Sequence, residues 1–301
     1  MKIGIVGAGS IGLLIAGYFH ENGHIVTIYT RSIKQAECIN RHGLILENNN
    51  LKTLHNVKAK VFAEQILDED HDFLFITVKQ YNLDEVLDQL KRKNNQSVVF
   101  LQNGMSHINK VKKLQFKSVI LGIVEHGAMR ITENHVKHTG NGVIKIGLLQ
   151  GDSEGINQLI HDSSPSFPIE YVEDYIHILK GKLIVNSVIN PLTAIFQVKN
   201  GDLLANPFFN KIAIDLFNEV AEILELDKEH YWEEVKNICV RTKHNYSSMN
   251  RDLFYKRRTE IDSILGYILE WANQHSKNIS VTETTYNMVK GLEMKNDLTL
   301  N

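Results

Sequence analysis

The segment Met1-Lys2-Ile3-Gly4-Ile5-Val6-Gly7-Ala8-Gly9-Ser10-Ile11-Gly12 constrains this chain more than any other. An apolar strand pattern runs into Gly7-x-Gly9-x-x-Gly12, and the helical pattern of Leu13, Leu14, Ala16, Gly17 and Phe19 follows at once. That order supplies what the pyrophosphate of a dinucleotide requires. Gly7 permits the sharp strand-to-helix turn, Gly9 keeps a Cβ away from the phosphates, and Gly12 lets the helix pack close on the strand. Ala8, Ser10 and Ile11 complete the loop, whose free N–H groups at the helix N-terminus face the anion. With 19 glycines in 301 residues the pattern alone arises by chance. Here a strand precedes it, a helix follows it, and a second strand over residues 25–29 arrives on schedule, so the segment predicts a nucleotide site.

The end of that second strand selects the cofactor. An Asp or Glu there would accept hydrogen bonds from a ribose 2′-hydroxyl, as NAD or FAD requires. This chain has Thr30 and then Arg31, with Ser32 and Lys34 beyond. A carboxylate would repel a 2′-phosphate, whereas a guanidinium grips it with two charge-assisted hydrogen bonds. The sequence therefore favours NADP (NADPH/NADP+) over NAD and counts against a flavin. The bland alternative for Arg31 is a solvated loop side chain.

At 301 residues the chain is long enough for two domains, and its net charge of −2 gives no basic field to attract nucleic acid or an anionic membrane. Cys38 and Cys239 lie far apart, outside any CxxC or Cys/His cluster. They read as reduced thiols of a cytoplasmic protein, and no metal site is expected. The apolar N-terminal stretch is short and broken by glycines, so it does not read as a signal peptide. No apolar run approaches the length of a membrane span.

The first half alternates strand and helix. Buried strands are expected over residues 72–78, 98–101 and 118–123, with helices over 33–42 and 82–90 and short β segments over 44–46 and 51–55. Residues 125–147 turn to short strands punctuated by Gly and Asn, which predicts an antiparallel edge added to a parallel sheet. Functional residues in such a sheet sit at the carboxyl ends of strands, which singles out Lys79 and Asn103. The run Asp162-Ser163-Ser164-Pro165-Ser166-Phe167-Pro168 reads as a linker. The expected fold is thus α/β, with an N-terminal Rossmann-type dinucleotide-binding domain over residues 1–166. An all-α domain is expected over 167–301, with helices at 178–196, 206–224, 229–244 and 259–275. Asn206 before Pro207 marks one helix start.

Within residues 178–196, Lys182, Asn186 and Asn190 recur every four residues and stack over about 12 Å of one helix face. Leu183, Ile184, Val185, Val188 and Ile189 make the rest apolar, as in a buried helix, so the polar stripe must face something that hydrogen-bonds. Solvent or an interhelical network would serve. Asparagine is a poor helix former, however, and the stripe suits a small polar substrate better. Pro191 cannot donate to the Ser187 carbonyl, which predicts a kink. A second polar cluster, residues 245–252, leads into Thr259-Glu260-Ile261-Asp262, where helix capping is the ordinary reading.

Together these segments resemble the ketopantoate reductase (2-dehydropantoate 2-reductase) family over nearly the whole chain. The resemblance rests on Gly7-x-Gly9-x-x-Gly12, Thr77-Val78-Lys79, Asn103-Gly104-Met105 and His138-Thr139-Gly140 in the first half. In the second half it rests on Lys182-Leu183-x-x-Asn186-x-x-x-Asn190-Pro191-Leu192-Thr193-Ala194, Asn200-Gly201, Ser247-Ser248-Met249 and Thr259-Glu260-Ile261-Asp262. It implies NADPH-dependent reduction of 2-dehydropantoate to (R)-pantoate, a step toward pantothenate and coenzyme A. By matching motif, Lys182 would be the general acid and Glu260 would orient the substrate. Ser248 and Asn103 would bind its polar groups, Asn186 and Asn190 its hydroxyl end. Arg31 and Lys79 would meet the adenosine end of NADPH, and Asn103 would also border the cofactor. One departure is Glu125, an acid where relatives commonly carry small or hydroxyl residues. Two alternatives keep the fold: reduction of another 2-oxo acid, and a non-catalytic NADP-binding regulator. The apolar helices suit a homodimer interface as well as a core.

Overall fold

The computed structural model describes residues 1–62, 70–90 and 93–298. They form two compact units, one of Met1–Gln102 with His107–Tyr175 and one of Asn103–Ser106 with Ile176–Asn301.

The first unit is built on an eight-stranded sheet. Its parallel strands are β1 (Lys2–Val6), β2 (Ile25–Thr30), β5 (Lys58–Val61), β6 (Phe73–Ile76), β7 (Lys93–Phe100) and β8 (Phe116–Val124). β11 (Ile144–Gly151) runs antiparallel to β8, and β12 (Ile169–Tyr171) runs parallel to β11. The strand order is β12-β11-β8-β7-β6-β1-β2-β5. The connections carry α1 (Ser10–Glu21), α2 (Ile33–His42), α3 (Leu83–Gln89), α4 (Ile108–Val111) and α5 (Glu154–His161). β1 is flanked by β2 on one side and β6 on the other, so the chain reverses its winding there. Val6 is level with Tyr29 and with Ile76, which brings Gly7, Arg31 and Thr77 to one edge of the sheet. That edge is where open α/β sheets bind ligands.

Residues 125–147 differ from expectation. β11 does add an antiparallel strand, but β9 (Gly127–Thr132) and β10 (His135–Gly140) leave the main sheet. They join β3 (Leu44–Asn48) and β4 (Leu51–His55) in a second sheet of order β4-β3-β10-β9. The reason lies in α1, which is buried at every residue from Gly12 to Phe19. A helix apolar on all sides needs cover on all sides. The second sheet supplies it: Leu46 of β3 lies against Gly17, and the Tyr18 hydroxyl reaches His138 Nδ1 of β10 at 2.7 Å. β12 lies beyond the expected boundary at 166/167 yet pairs with β11, so the strand unit runs on to Tyr175.

The second unit is helical: α6 (Tyr175–Phe196), α7 (Asp202–Ala205), α8 (Pro207–Leu224), α9 (Lys228–Arg241), α10 (Ser248–Phe254), α11 (Tyr267–Gln274) and α12 (Ser280–Leu298). One π turn, Asp262–Gly266, leads into α11. α8 starts where Asn206 accepts from the N–H groups of Phe208 (3.0 Å) and Phe209 (3.3 Å), with Pro207 at its first position. Glu219 of α8 holds the start of α12 by accepting from Val281 N (3.1 Å) and Thr282 N (2.8 Å). α6 continues through Pro191 as one element, and the Thr193 hydroxyl donates to the Ile189 carbonyl at 2.7 Å. Among the described residues no helix is long and apolar enough to cross a membrane, and no three His, Cys, Asp or Glu side chains are grouped to hold a metal.

Candidate active site

The glycine turn of the strand unit is fixed from several directions. Gly7 has φ +113°, and a Cβ there would lie 2.9 Å from both Thr77 Oγ1 and Val78 N. Only glycine fits that backbone in that space. The Gly7 N–H donates to the Tyr29 carbonyl (2.9 Å), while the Thr77 hydroxyl faces the Val6 and Gly7 carbonyls at 3.1 and 2.9 Å. A Cβ on Gly12 would collide with the Gly7 carbonyl, so the third glycine sets how closely α1 approaches the turn. Gly9 is different. Nothing lies within 4 Å of where its Cβ would be. It also begins α1 with no side-chain cap, and the first intrahelical bond is Leu13 N to Gly9 O (3.0 Å). An open cradle beside uncapped N–H groups fits a pyrophosphate.

Beyond β2, Thr30 is buried and its hydroxyl donates to the Ser32 carbonyl (2.8 Å), while Ser32 caps α2. The backbone on both sides of Arg31 is thus tied, and the Arg31 side chain is exposed. Lys79, three residues past β6, is half-buried. The unexpected acid, Glu125, pairs with Lys145 at 3.0 Å, which neutralises its charge locally. His126 beside it is buried; that burial first, and the neighbouring His138 second, push its pKa down to about 4.

In the helical unit, Asn103 and Glu260 meet: Asn103 Nδ2 donates to Glu260 Oε2 at 3.0 Å. The Asn103–Ser106 segment belongs to this unit because Gly104, at φ +83°, brings the chain against Ser263 more closely than any Cβ would allow. Glu260 is 7% exposed, and its carbonyl accepts from Ser263 N (3.1 Å) and Ile264 N (3.2 Å). Its neighbours take the capping roles. Thr259 Oγ1 accepts from Ile261 N (3.2 Å), Ile261 is core, and Asp262 accepts from Tyr286, Arg258 and Lys290. Burial alone would raise the Asp262 pKa, but those hydrogen bonds outweigh it and hold it below its ordinary value.

On α6, Asn190 is buried while Lys182 and Asn186 are half-buried, so the stripe passes from exposed surface into the unit. Lys180 is engaged elsewhere, its Nζ donating to the Leu224 carbonyl (2.9 Å) at the end of α8. The two adjacent serines also divide. Ser247 is the buried N-cap of α10, accepting from Asn250 N (3.1 Å), and its hydroxyl lies 2.8 Å from Thr193 Oγ1. Ser248 is exposed at the first turn of α10. The sequence reading missed Ser247 as the cap, and the Ser-x-x-Asn spacing to Asn250 was its signal. It also missed Gln35, whose side chain reaches the glycine turn.

Comparison with known proteins identifies the family. The family description "Ketopantoate reductase PanE/ApbA" matches residues 3–151, and its C-terminal counterpart matches residues 174–293. A 2-dehydropantoate 2-reductase of Bacillus subtilis is 41% identical over 97% of this chain and 98% of its own. One from Listeria innocua is 36% identical over 97% of each chain. A crystal structure of a probable 2-dehydropantoate 2-reductase from Bacillus subtilis, 40% identical, superposes with a TM-score of 0.87 over 97% of this chain and 100% of the other. With both halves matched and relatives this close over their full length, the chain belongs to the ketopantoate reductase family.

Proposed function

We propose that this chain reduces 2-dehydropantoate to (R)-pantoate with NADPH, acting on dissolved substrate in the cytoplasm. The observation that carries the reading is the Asn103–Glu260 hydrogen bond (3.0 Å), which joins two polar side chains 157 residues apart in one unit. Both were expected at the substrate from their motifs. The named relatives support the substrate assignment.

In this reading Gly9, Ser10 and Ile11 hold the pyrophosphate through backbone N–H groups, with Gly7, Ala8 and Gly12 shaping the turn. Arg31 and Lys79 hold the adenosine end, Arg31 on the 2′-phosphate. When bound, the cofactor supplies the hydride. The work of the helical unit is to hold the keto acid and to manage the proton. Ser248 and Asn103 hydrogen-bond its polar groups, and Glu260 fixes the Asn103 amide so that it offers its remaining N–H. Asn186 and Asn190 hold the hydroxyl end. Negative charge that develops on the ketone oxygen is stabilised by the Lys182 ammonium, which then supplies the proton at that oxygen.

The test is to follow the absorbance of NADPH with the purified protein and a panel of 2-oxo acids. Fast oxidation with 2-dehydropantoate is expected. Oxidation only with another 2-oxo acid would overturn the substrate, and NADPH binding without turnover on any of them would overturn the enzyme reading.

A further inference from the structure

Gln35 lies in the first turn of α2, four residues past Arg31, and is 5% exposed. Its amide nitrogen donates to two backbone carbonyls: Ala8 O at 2.9 Å and Glu133 O at 2.8 Å. Its own backbone N–H reaches Ser32 Oγ at 3.4 Å. Its buried side chain therefore ties the glycine turn to the turn between β9 and β10. Arg130 Nη1 approaches the same Ala8 oxygen at the longer distance of 3.5 Å, with its charge directed to Glu133 at 3.6 Å.

The Ala8 carbonyl shares a planar trans peptide with the Gly9 N–H, so the two groups point in opposite directions. Holding the carbonyl toward α2 sends the Gly9 N–H away from α2. The neighbouring peptides are held independently, Gly7 by Tyr29 and Thr77, and Gly9 O by Leu13 N. The Ala8–Gly9 peptide is thus oriented mainly by Gln35, whose bond to the Ala8 carbonyl (2.9 Å) is shorter than that of Arg130 (3.5 Å), a side chain whose charge is directed to Glu133. Without the amide donor it could rotate between its neighbours, because glycine at position 9 adds no steric barrier. We infer that Gln35 is a positioning residue for cofactor binding: by fixing the Ala8 carbonyl it aims the Gly9 N–H at the pyrophosphate.

This rests on the dinucleotide reading of the turn, and the test separates the two. Binding of ADP, which carries the 5′-diphosphate, and of adenosine 2′-monophosphate, which carries the 2′-phosphate alone, is measured by titration calorimetry. The wild type is compared with Gln35→Leu and with Gln35→Glu, which keeps the shape but, ionised, has no N–H donor. Both variants are expected to bind ADP roughly 10-fold more weakly, the order set by one misdirected hydrogen bond to a charged group. Adenosine 2′-monophosphate should bind within about twofold of wild type in both. Unchanged ADP affinity in Gln35→Glu would overturn the inference. Equal weakening of both ligands would also overturn it, since it would mark a general collapse of the loop after β2. A wild type that binds neither ligand would overturn the dinucleotide reading itself.

Discussion

At the scale of single residues, the proposed choice of NADPH over NADH rests on Arg31. Its backbone is held by Thr30 and Ser32 while its guanidinium is free to reach a phosphate. A charge-assisted bond of this kind contributes about 1.5–3 kcal/mol, so Arg31→Ala should weaken NADPH binding by roughly 10- to 150-fold and leave NADH almost unchanged. Fluorescence titration with the two cofactors checks this, and equal weakening of both would contradict the 2′-phosphate role. The placement of Arg31 just past β2 was legible because it is counted from a strand end. Glu260 was only half legible: Thr259-Glu260-Ile261-Asp262 has the composition of an ordinary helix start, and Thr259 does behave as a local cap. What separates Glu260 from its neighbours is its bond to Asn103, a contact that no local pattern encodes. Gln35 was not legible at all, because a polar residue in a first helical turn looks solvated until the carbonyls above it are located.

At the scale of elements, α10 offers a direct comparison between structural and chemical serines. Ser247 satisfies an orphan N–H of the helix and sits within hydrogen-bond distance of the Thr193 hydroxyl. Ser247→Ala should therefore lower stability by about 0.5–2 kcal/mol. Ser248→Ala should leave the melting temperature alone and raise the KM for the keto acid, with NADPH affinity untouched. Thermal unfolding and steady-state kinetics on both variants check the pair, and a Ser248→Ala enzyme with wild-type KM would remove that residue from the site. The central strands and the helices α6, α8 and α9 were read because periods of two and 3.6 are written in the sequence, whereas α12 and the edge strands β5 and β12 were not expected. The partner sheet of β9 and β10 was not, since alternation predicts a strand without saying what it pairs with. The burial of α1 on all sides was the clue, visible in its run of apolar residues. α10 is too short for periodicity to show.

At the scale of the whole molecule, buried neutral histidines set an acid limit. Burial holds the His107 and His126 pKa values at about 4, against an ordinary 6.5. Above pH 6.5 both folded and unfolded chains leave these rings neutral, and stability is complete. Between 6.5 and 4 the unfolded chain takes up protons that the folded chain refuses, so stability falls as pH falls. For His107, whose shift comes from burial alone, the loss is on the order of 3 kcal/mol at the low end. Melting temperatures from pH 7.5 to 4.5 should decline, and His107→Phe should decline less steeply. A flat profile would contradict the burial argument.

The proposed chemistry divides the labour: cofactor phosphates are held by the strand unit and the proton by Lys182 of the helical unit. Lys180, the nearest other lysine on α6, is occupied at the end of α8, so Lys180→Ala is expected to affect stability and not chemistry. Neither Asn186 nor Asn190, whose amides have no acidic proton, can replace the Lys182 ammonium. The most direct measurement is therefore kcat for Lys182→Ala with 2-dehydropantoate, alongside its Kd for NADPH. A fall of about 10²–10⁴ in kcat with the Kd unchanged is the predicted result. A kcat near that of the wild type would contradict it.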